Sequence, residues 1–237
     1  MKWDTSRWTL PRLVELCVSL AGLGVALALN NCLGRFASRQ GDHAHASPDL
    51  LLAHLPVVDL RALFLWGFAA FLVALVVLGV WRERRRLAHI VWLYALLISV
   101  RSLFIILTPM RRPEGALWVG GNPLYDAIGR YLTFKNDLFF SSHTALPFLA
   151  FLVFRDRWAR AFFLACSVTL AATVLLTRLH YSIDVFSAFF ITYALYRWER
   201  RWLRAPYRRA RHCVFEWLRG ASPGIVSKAK DAGDSGA

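Results

Sequence analysis

Six apolar runs divide the chain, at residues 13–30, 60–81, 87–108, 138–154, 161–177 and 181–198. Each has about 17–25 residues, the length of a helix that crosses a bilayer. The runs are apolar on every side, whereas a surface helix of a water-soluble protein has one apolar stripe and one polar face. The pattern therefore predicts an all-α, polytopic membrane protein with six transmembrane helices.

The distribution of lysine and arginine predicts the orientation of these helices. With a cytoplasmic N-terminus, twenty of the 29 basic residues fall in cytoplasmic segments and eight in outer loops or helix ends. Both termini are therefore expected in the cytoplasm. The predicted organisation has four parts: a cytoplasmic N-terminus at 1–12, a six-helix membrane domain at 13–200, a basic interfacial segment at 201–220 and a disordered tail at 221–237.

Composition and charge agree with a membrane protein. Hydrophobic residues make up 57% of the chain, and its net charge is +14. A basic chain of this kind could bind nucleic acid, but the charges cluster beside the predicted cytoplasmic helix ends, where they match anionic lipid headgroups. We expect anionic lipid at that face and no nucleic-acid partner. The first apolar run is too long for a cleaved signal peptide, and no convincing cleavage site follows it.

No spacing of cysteine or histidine indicates a bound metal. The four cysteines fall in or near separate runs or the tail, and His43 and His45 lie in a polar loop where solvation explains them. We expect neither a metal nor another cofactor, and no feature of the sequence indicates an oligomeric state.

Two stretches place polar residues where apolar runs begin. "NDLFFSSHTAL" at 136–146 and "RLHYSIDVFSAFF" at 178–190 each open a predicted span. In the predicted topology, His143, His180 and Asp184 come from separate segments to the same depth below the outer surface. Ionisable residues inside a membrane are costly and usually mark a functional site, so the sequence predicts that these three side chains form one site.

His180 and Asp184 are four residues apart and share one face of a helix. A carboxylate in that position can hold one ring nitrogen of the histidine and leave the other free to react. The alternative is a structural hydrogen bond that ties two helices together, but a second histidine at the same depth favours a reactive pair.

Arg101 is a charged residue in the middle of the third run. Burying it costs about 2.5–3.5 kcal/mol on insertion scales, so we expect it to have an anionic partner: a substrate phosphate, Asp184 or Asp137. Two histidines, a carboxylate and arginines without metal-ligand spacing indicate phosphoryl chemistry by a nucleophilic histidine. The second histidine would protonate the leaving oxygen, and arginine would stabilise the phosphate charge.

Four ordered motifs resemble those of the sphingomyelin synthase family, a branch of the type-2 phosphatidic acid phosphatase superfamily. They are "PDLLLAHLP" at 48–56, "RSLFIILT" at 101–108, "NDLFFSSHT" at 136–144 and "HYSIDVFSAFFIT" at 180–192. The resemblance covers roughly residues 48–200. It implies a six-helix fold with an active site on the outer face of the membrane.

The resemblance also implies a role for each of the three polar residues. The histidine that matches His180 attacks phosphorus and is oriented by the aspartate that matches Asp184. The histidine that matches His143 handles the leaving and accepting hydroxyls. A phospho-headgroup then passes from a glycerophospholipid donor to a lipid alcohol acceptor such as ceramide, and diacylglycerol is released.

The expected site includes further residues. We expect substrate phosphate to be bound by Arg101, Arg112, Arg178 and Ser142. Support for the site is expected from Asp137, Ser141 and Tyr181.

The chain departs from the family pattern at several positions. Ser142 replaces the usual glycine before the first histidine, and Arg178 replaces a common histidine. The phosphatase branch's basic motifs are missing, since isoleucine occupies position 105 and valine occupies position 174. The missing phosphatase motifs favour a synthase-like transferase over a simple phosphatase, but they leave the substrate open.

Two alternatives stay open at this point. A lipid phosphate phosphatase would use water as acceptor with the same residues. A non-enzymatic lipid or proton transporter would use the buried ionisable groups as a relay. Short loops and sparse lysine suggest a bacterial inner membrane protein whose site faces the periplasm.

Overall fold

Regular secondary structure is helical throughout the residues that the computed structural model describes, which are 10–121, 136, 138–203, 209 and 213. Within them the α-helices are α1 Leu10–Gly41, α2 Leu50–His54, α3 Phe68–Arg82, α4 Leu87–Leu107, α5 Ser142–Val153, α6 Arg157–Leu176 and α7 Ser182–Trp198. A π-helical turn, Leu63–Gly67, leads into α3, and a second one, Glu199–Leu203, follows α7. The all-α prediction is confirmed.

Among the residues that the structure describes, four helical segments are long and apolar enough to cross a membrane: Arg12–Gly41, Leu63–Arg82, Arg84–Leu107 and Arg157–Leu176. Together they support the prediction of a membrane protein. The fourth predicted span, 138–154, is shorter than expected because α5 begins only at Ser142 and has 12 residues. At 1.5 Å per residue it is about 18 Å long. The count of six spans and the orientation of the termini stay predictions.

The first helix is longer than the apolar run that predicted it. The run ends at residue 30, but α1 continues to Gly41. No proline interrupts residues 31–41, so the chain can remain helical after its hydrophobicity falls. A Cβ atom at Gly41 would lie 2.6 Å from the Met110 carbonyl oxygen and 2.7 Å from the Asn136 Cβ. The helix therefore ends where only glycine allows so close an approach.

The core of the bundle lies between α3, α4, α5, α6 and α7. α1 packs along α4, and α5 packs against α6 and α7. Phe71, Phe140, Phe154 and Phe163 are buried at the centre with Leu149. Large apolar side chains also cover the outside of the helices, as expected of a surface in contact with lipid.

Charged contacts join two loops at one end of the bundle. The carboxylate of Glu83, only 6% exposed, accepts hydrogen bonds from the Arg155 backbone N–H (2.8 Å) and from Arg86 Nη1 (3.1 Å). Arg86 Nη1 also donates to the Val153 carbonyl oxygen at 3.0 Å. These loops were both predicted to be cytoplasmic, and the structure places them side by side.

Backbone hydrogen bonds join the loops at the opposite end. The Val58 N–H donates to the Leu176 carbonyl oxygen, and the Leu117 N–H donates to the Thr177 carbonyl oxygen, both at 3.0 Å. All these loops were predicted to face outward. Segments assigned to the same side of the membrane thus share one end of the bundle.

Several predictions fall outside the described residues. They concern Asp137, the tail at 221–237, most of the basic segment 201–220 and most of the N-terminus 1–12.

The predicted topology can be tested by labelling single cysteines from outside the cell. Glu114→Cys and Arg85→Cys would be made in a chain whose four native cysteines are replaced by serine. Both positions are exposed, whereas Glu83 is buried and unsuitable. We expect a membrane-impermeant maleimide to label Glu114→Cys in intact cells and Arg85→Cys only after permeabilisation. The reverse pattern would place the two histidines on the cytoplasmic side.

Candidate active site

Asp184 lies in the first turn of α7, whereas His180 lies two residues before the helix begins at Ser182, so the prediction that the two share one face of a helix is wrong. Tyr181 caps the helix, and its backbone N–H donates to Asp184 Oδ2 at 2.9 Å. His180 Nδ1 lies 3.4 Å from the same oxygen. Asp184 is 0% exposed and His180 is 5% exposed. A capping interaction therefore fixes the carboxylate, and the carboxylate lies against one nitrogen of the imidazole.

His143 lies in the first turn of α5 between two phenylalanine rings. Its ring centroid is 4.1 Å from that of Phe64 and 4.3 Å from that of Phe68. Both come from the π-helical turn and the start of α3, and π-helical turns occur frequently at functional sites. The ring of His143 is 6.4 Å from the ring of His180. The structure thus brings His143, His180 and Asp184 together.

One backbone hydrogen bond holds the beginnings of α5 and α7 side by side. The Ser141 N–H donates to the Asp184 carbonyl oxygen at 3.0 Å. Ser167 Oγ on α6 donates to the Thr144 carbonyl oxygen at 2.9 Å and fixes the first turn of α5. Helix N-termini carry partial positive charge and unpaired N–H groups. Two of them meeting at the histidines make this place suitable for an anion.

Arg101 anchors the segment that leads into α5. Its Nε donates to the Phe140 carbonyl oxygen at 2.8 Å, and its Nη1 donates to Asn30 Oδ1 at 3.2 Å. The side chain is buried, with 4% of the residue exposed. Both of these partners are neutral oxygens; the anionic partner expected from the sequence stays a prediction, since Asp137 lies outside the described residues. Arg101 is thus linked to the chain three residues before His143, through the carbonyl group of Phe140.

Arg178 and Arg112 contact the loops around the site. Arg178 has a φ of 53°, a left-handed conformation uncommon for a non-glycine residue. Its Nη1 donates to the Glu114 carbonyl oxygen at 3.2 Å and its Nη2 to the Leu52 carbonyl oxygen at 3.1 Å. The guanidinium of Arg112 lies 4.0 Å from the ring centroid of Trp118. The role of both residues in binding phosphate stays a prediction.

The smaller polar residues predicted at the site surround these groups. Ser141 is the N-cap of α5, but its side chain makes no capping hydrogen bond. Ser142 is partly buried at the start of the helix. The Tyr181 hydroxyl donates to the Arg111 carbonyl oxygen at 2.9 Å and accepts from the Ser47 N–H at 3.0 Å. Tyr181 thus holds the surrounding loops together.

Asp49 is a residue that the sequence reasoning missed. Its Oδ1 accepts from the backbone N–H groups of Leu51 and Leu52, each at 3.0 Å. Its Oδ2 accepts from the Ser182 N–H at 2.7 Å, and its Oδ1 also accepts from Ser182 Oγ at 3.1 Å. One carboxylate therefore caps both α2 and α7. Its contact on α7 is Ser182, which lies two residues after His180 in the sequence. An aspartate followed by three leucines is a helix-start signal that could have indicated the first contact.

Hydrogen bonds determine the charge state of Asp49. Partial burial alone would raise the pKa of its carboxyl group, but the hydrogen bonds from Ser182, Leu52 and Leu51 outweigh that effect and lower the pKa below its ordinary value of 3.8. Asp49 is therefore a carboxylate at neutral pH, which is the form that best caps a helix.

Buried polar atoms without a hydrogen-bond partner cluster around the two histidines. They are Ser141 Oγ, His143 Nδ1, Asp184 Oδ1 and His180 Nδ1, the last of which lies 3.4 Å from Asp184 Oδ2 at ion-pair distance but makes no hydrogen bond to it. Buried polar groups in native proteins are nearly always paired, so this cluster is a candidate binding site for a polar group. Within the described part of the chain, no group of three or more histidine, cysteine, aspartate or glutamate side chains could hold a metal ion.

Comparison with known families agrees with this geometry. Residues 136–201 match a family model described as PAP2 superfamily C-terminal. The match supports the type-2 phosphatidic acid phosphatase superfamily. The matched residues run from just before α5 to the second π-helical turn, so they contain His143, His180 and Asp184. No curated protein and no solved structure matches the chain.

Members of the PAP2 superfamily are phosphatases and phosphotransferases, which supports an enzyme. Together with the apolar helices, this supports an integral membrane protein. A lipid-phosphate enzyme of this superfamily acts on membrane lipids. The narrower resemblance to sphingomyelin synthases is taken up below.

The Asp49 contacts predict a loss of stability when the carboxylate is removed. We expect Asp49→Ala to lower the free energy of unfolding by about 1–2 kcal/mol, as for other lost helix caps. Because folding lowers the pKa of Asp49, its stabilisation is present above pH ~4 and is lost as the pH falls through the lowered pKa. Thermal unfolding in detergent at neutral and acidic pH would measure this difference.

The matched control is Asp59→Ala, because Asp59 is also paired, with Arg61 at 2.7 Å, but its side chain is 55% exposed. We expect little change in stability for that variant. Equal losses in the two variants would rule out a special role for Asp49.

Proposed function

We propose that this protein is an integral membrane lipid phosphotransferase similar to sphingomyelin synthase. It moves a phospho-headgroup from a glycerophospholipid to a lipid alcohol of the ceramide or diacylglycerol type, through a phosphohistidine. One observation carries the proposal: a buried carboxylate lies 3.4 Å from the imidazole of His180, and a second imidazole lies 6.4 Å away. The family match over the same residues supports it.

In the first step His180 attacks the phosphorus atom of the donor lipid. Asp184 favours a proton on Nδ1, so the Nε2 lone pair forms the new nitrogen–phosphorus bond. The phosphorus–oxygen bond to diacylglycerol breaks, and His143 gives its proton to the departing oxygen. Asp184 stabilises the positive charge that His180 acquires.

In the second step the headgroup passes to the acceptor. His143, now neutral, takes the proton from the acceptor hydroxyl group. The acceptor oxygen attacks phosphorus, the nitrogen–phosphorus bond breaks, and His180 recovers its lone pair. His143 ends the cycle protonated, as it began, so the two histidines keep distinct roles.

Positive groups near the histidines would stabilise the negative charge of the phosphate group during its transfer. The start of α5 provides backbone N–H groups, and Arg101 is linked to the same segment through the Phe140 carbonyl group. Charge that develops on the phosphate oxygens is stabilised most by groups already in place. Arg112, Arg178 and Ser142 are further candidates for this role.

Hydrolysis is the second candidate reaction, because phosphatases belong to the same superfamily. Water would then replace the lipid alcohol in the second step. Transfer is favoured by the low exposure of His143 and His180, 3% and 5%, because a dry site discriminates against water. The absence of the phosphatase branch's basic motifs points the same way. We place the site on the periplasmic face of a bacterial inner membrane, with the exposed Arg84 and Arg85 against anionic lipid at the other face.

The reaction class can be tested with purified protein and headgroup-labelled glycerophospholipids. The donor would be supplied with ceramide, with a diacylglycerol whose acyl chains differ from those of the donor, or without an acceptor, and the labelled products identified. We expect label in a new phospholipid when an acceptor is present. Free phospho-headgroup as the main product under all three conditions would identify a hydrolase, with water as the acceptor, instead.

The proposed intermediate predicts opposite behaviour for the two histidine variants. If His180 is the nucleophile, acid-labile label should appear on the wild-type protein after rapid quenching and be absent from His180→Ala. In His143→Ala the label should form more slowly and persist longer. The variant lacks both the acid that protonates the departing diacylglycerol oxygen and the base that takes the proton from the acceptor hydroxyl. Quench experiments with labelled donor would measure this. Label that persists in His180→Ala but is absent from His143→Ala would reverse the two roles.

Arg101 should matter more than a rim arginine. We expect Arg101→Leu to reduce turnover by about a hundredfold or more, a typical effect of losing one preorganised donor near a transition state. Arg111→Leu should have a small effect, because Arg111 is exposed and its described contact with Tyr181 uses only the backbone carbonyl. Steady-state rates for both variants would measure the difference. Full activity in Arg101→Leu would leave Arg112 and Arg178 as candidates for binding the phosphate.

A further inference from the structure

A long apolar cavity lies between α1, α3, α4 and α5. Its volume is about 510 Å³, within the range of ligand-binding pockets, about 300–1,000 Å³. Nearly all of its wall is aliphatic. Val76 and Val80 line it and are also exposed, so the cavity opens toward the surface of the bundle that is predicted to face lipid.

One end of the cavity is polar and borders the candidate active site. Arg101, Asn30 and Ser142 line this end, and Tyr94, whose hydroxyl group donates to the Leu146 carbonyl oxygen, lines the wall farther along α4. Phe68 also lines the cavity, and its ring centroid is 4.3 Å from that of His143. A single aromatic ring therefore separates the cavity from His143.

The other end of the cavity lies near the opposite side of the bundle. Gly79, Val80 and Leu87 line that end, at the close of α3 and the beginning of α4. Arg101 and Leu87 are fourteen residues apart on α4, which corresponds to about 21 Å along the helix. One leaflet of a bilayer has a hydrocarbon depth of about 15 Å, half of the ~30 Å core. The cavity is therefore long enough for one extended hydrocarbon chain.

We propose that this cavity holds one acyl chain of the donor lipid, with the lipid's polar part beside Arg101 and Ser142, and that its far end determines the preferred chain length. The proposal rests on the lipid phosphotransfer proposed above. The charge and shape of the cavity favour this occupant: a cation and hydrogen-bonding groups at one end, and aliphatic walls for the rest. A chain bound there would leave its phosphate near the two histidines.

Gly79 and Val80 are the positions that would limit the chain. A Cβ atom at Gly79 would lie 3.4 Å from Leu87 Cδ1, so a larger side chain would have to extend into the cavity. Val80 is 46% exposed and lines the cavity, whereas Val77 on the same helix is 54% exposed and does not line it. Val80→Phe and Val77→Phe are therefore matched substitutions, one inside the cavity and one outside it.

The first test compares donor lipids with long and short saturated chains. In Val80→Phe, and in Gly79→Leu as a second variant, we expect the ratio of kcat/KM for long over short chains to fall roughly tenfold, as for the loss of about two buried methylene groups. In Val77→Phe the ratio should equal that of the wild type. An unchanged ratio in both cavity variants, or the same change in Val77→Phe, would overturn the proposal.

The second test does not depend on turnover. A glycerophospholipid with a photoreactive group at the end of one acyl chain would be bound to the protein, irradiated and mapped. We expect cross-links near Gly79, Val80 and Leu87, and fewer of them in Val80→Phe. Cross-links at these positions without phosphotransfer would refute the proposed reaction but support the cavity. Phosphotransfer with cross-links only on lipid-facing residues such as Val77 would support the reaction and refute the cavity.

Discussion

The candidate site depends on burying a single carboxylate. Asp184 is fully buried, and a buried charge is tolerated only with close partners. Its Oδ2 accepts from the Tyr181 N–H and lies 3.4 Å from His180, while its carbonyl oxygen accepts from the Ser141 N–H. The same residue therefore fixes the start of α7, orients one imidazole and holds the segment that leads to the other. Loss of these contacts would separate the two histidines, since no other described hydrogen bond joins the starts of α5 and α7 directly.

Local patterns in the sequence were sufficient to predict the parts of the site that local geometry controls. The four-residue spacing of His180 and Asp184 predicted that they meet, but the reason was wrong: α7 begins only at Ser182, and the capping interaction at Tyr181 rather than a shared helix face fixes the carboxylate beside the imidazole. Hydropathy placed α4, α6 and the helical segment Leu63–Arg82, which contains α3, within a few residues. Contacts between residues far apart in the sequence leave no local pattern from which they could be predicted. The link from Asp49 to Ser182 spans 133 residues, and the rings around His143 come from an apolar run in which nothing distinguishes Phe64 from its neighbours. Arg178 was predicted to bind the substrate phosphate because of its position at the outer rim. In the structure its guanidinium donates to two backbone carbonyl groups, and no sequence pattern indicated these contacts.

The short α2 helix shows how the loops at this end are fixed without a large core. Asp49 caps its beginning and also caps α7, and Arg178 binds the carbonyl group of Leu52 within it. Both contacts come from residues that flank His180 closely in the fold. A five-residue helix has little stability of its own, so its position depends on these two charged side chains. The loop at the rim and the segment that carries His180 are therefore coupled through short, directional bonds.

In the proposed reaction, the choice between a lipid alcohol and water as acceptor would depend on the side from which each one enters. Water would come from the end of the bundle where Arg178 contacts the loops. A lipid alcohol would come from the bilayer and would reach Phe68 along the cavity between α1 and α3 once the diacylglycerol formed from the donor has left it. Phe68 contacts His143 and also lines the cavity. His143, the proposed acid–base residue, would therefore lie at the boundary between the lipid's hydrocarbon chain and its phosphate group. An acceptor hydroxyl carried on a hydrocarbon chain would be held at that boundary, whereas a water molecule would have no comparable means of remaining there.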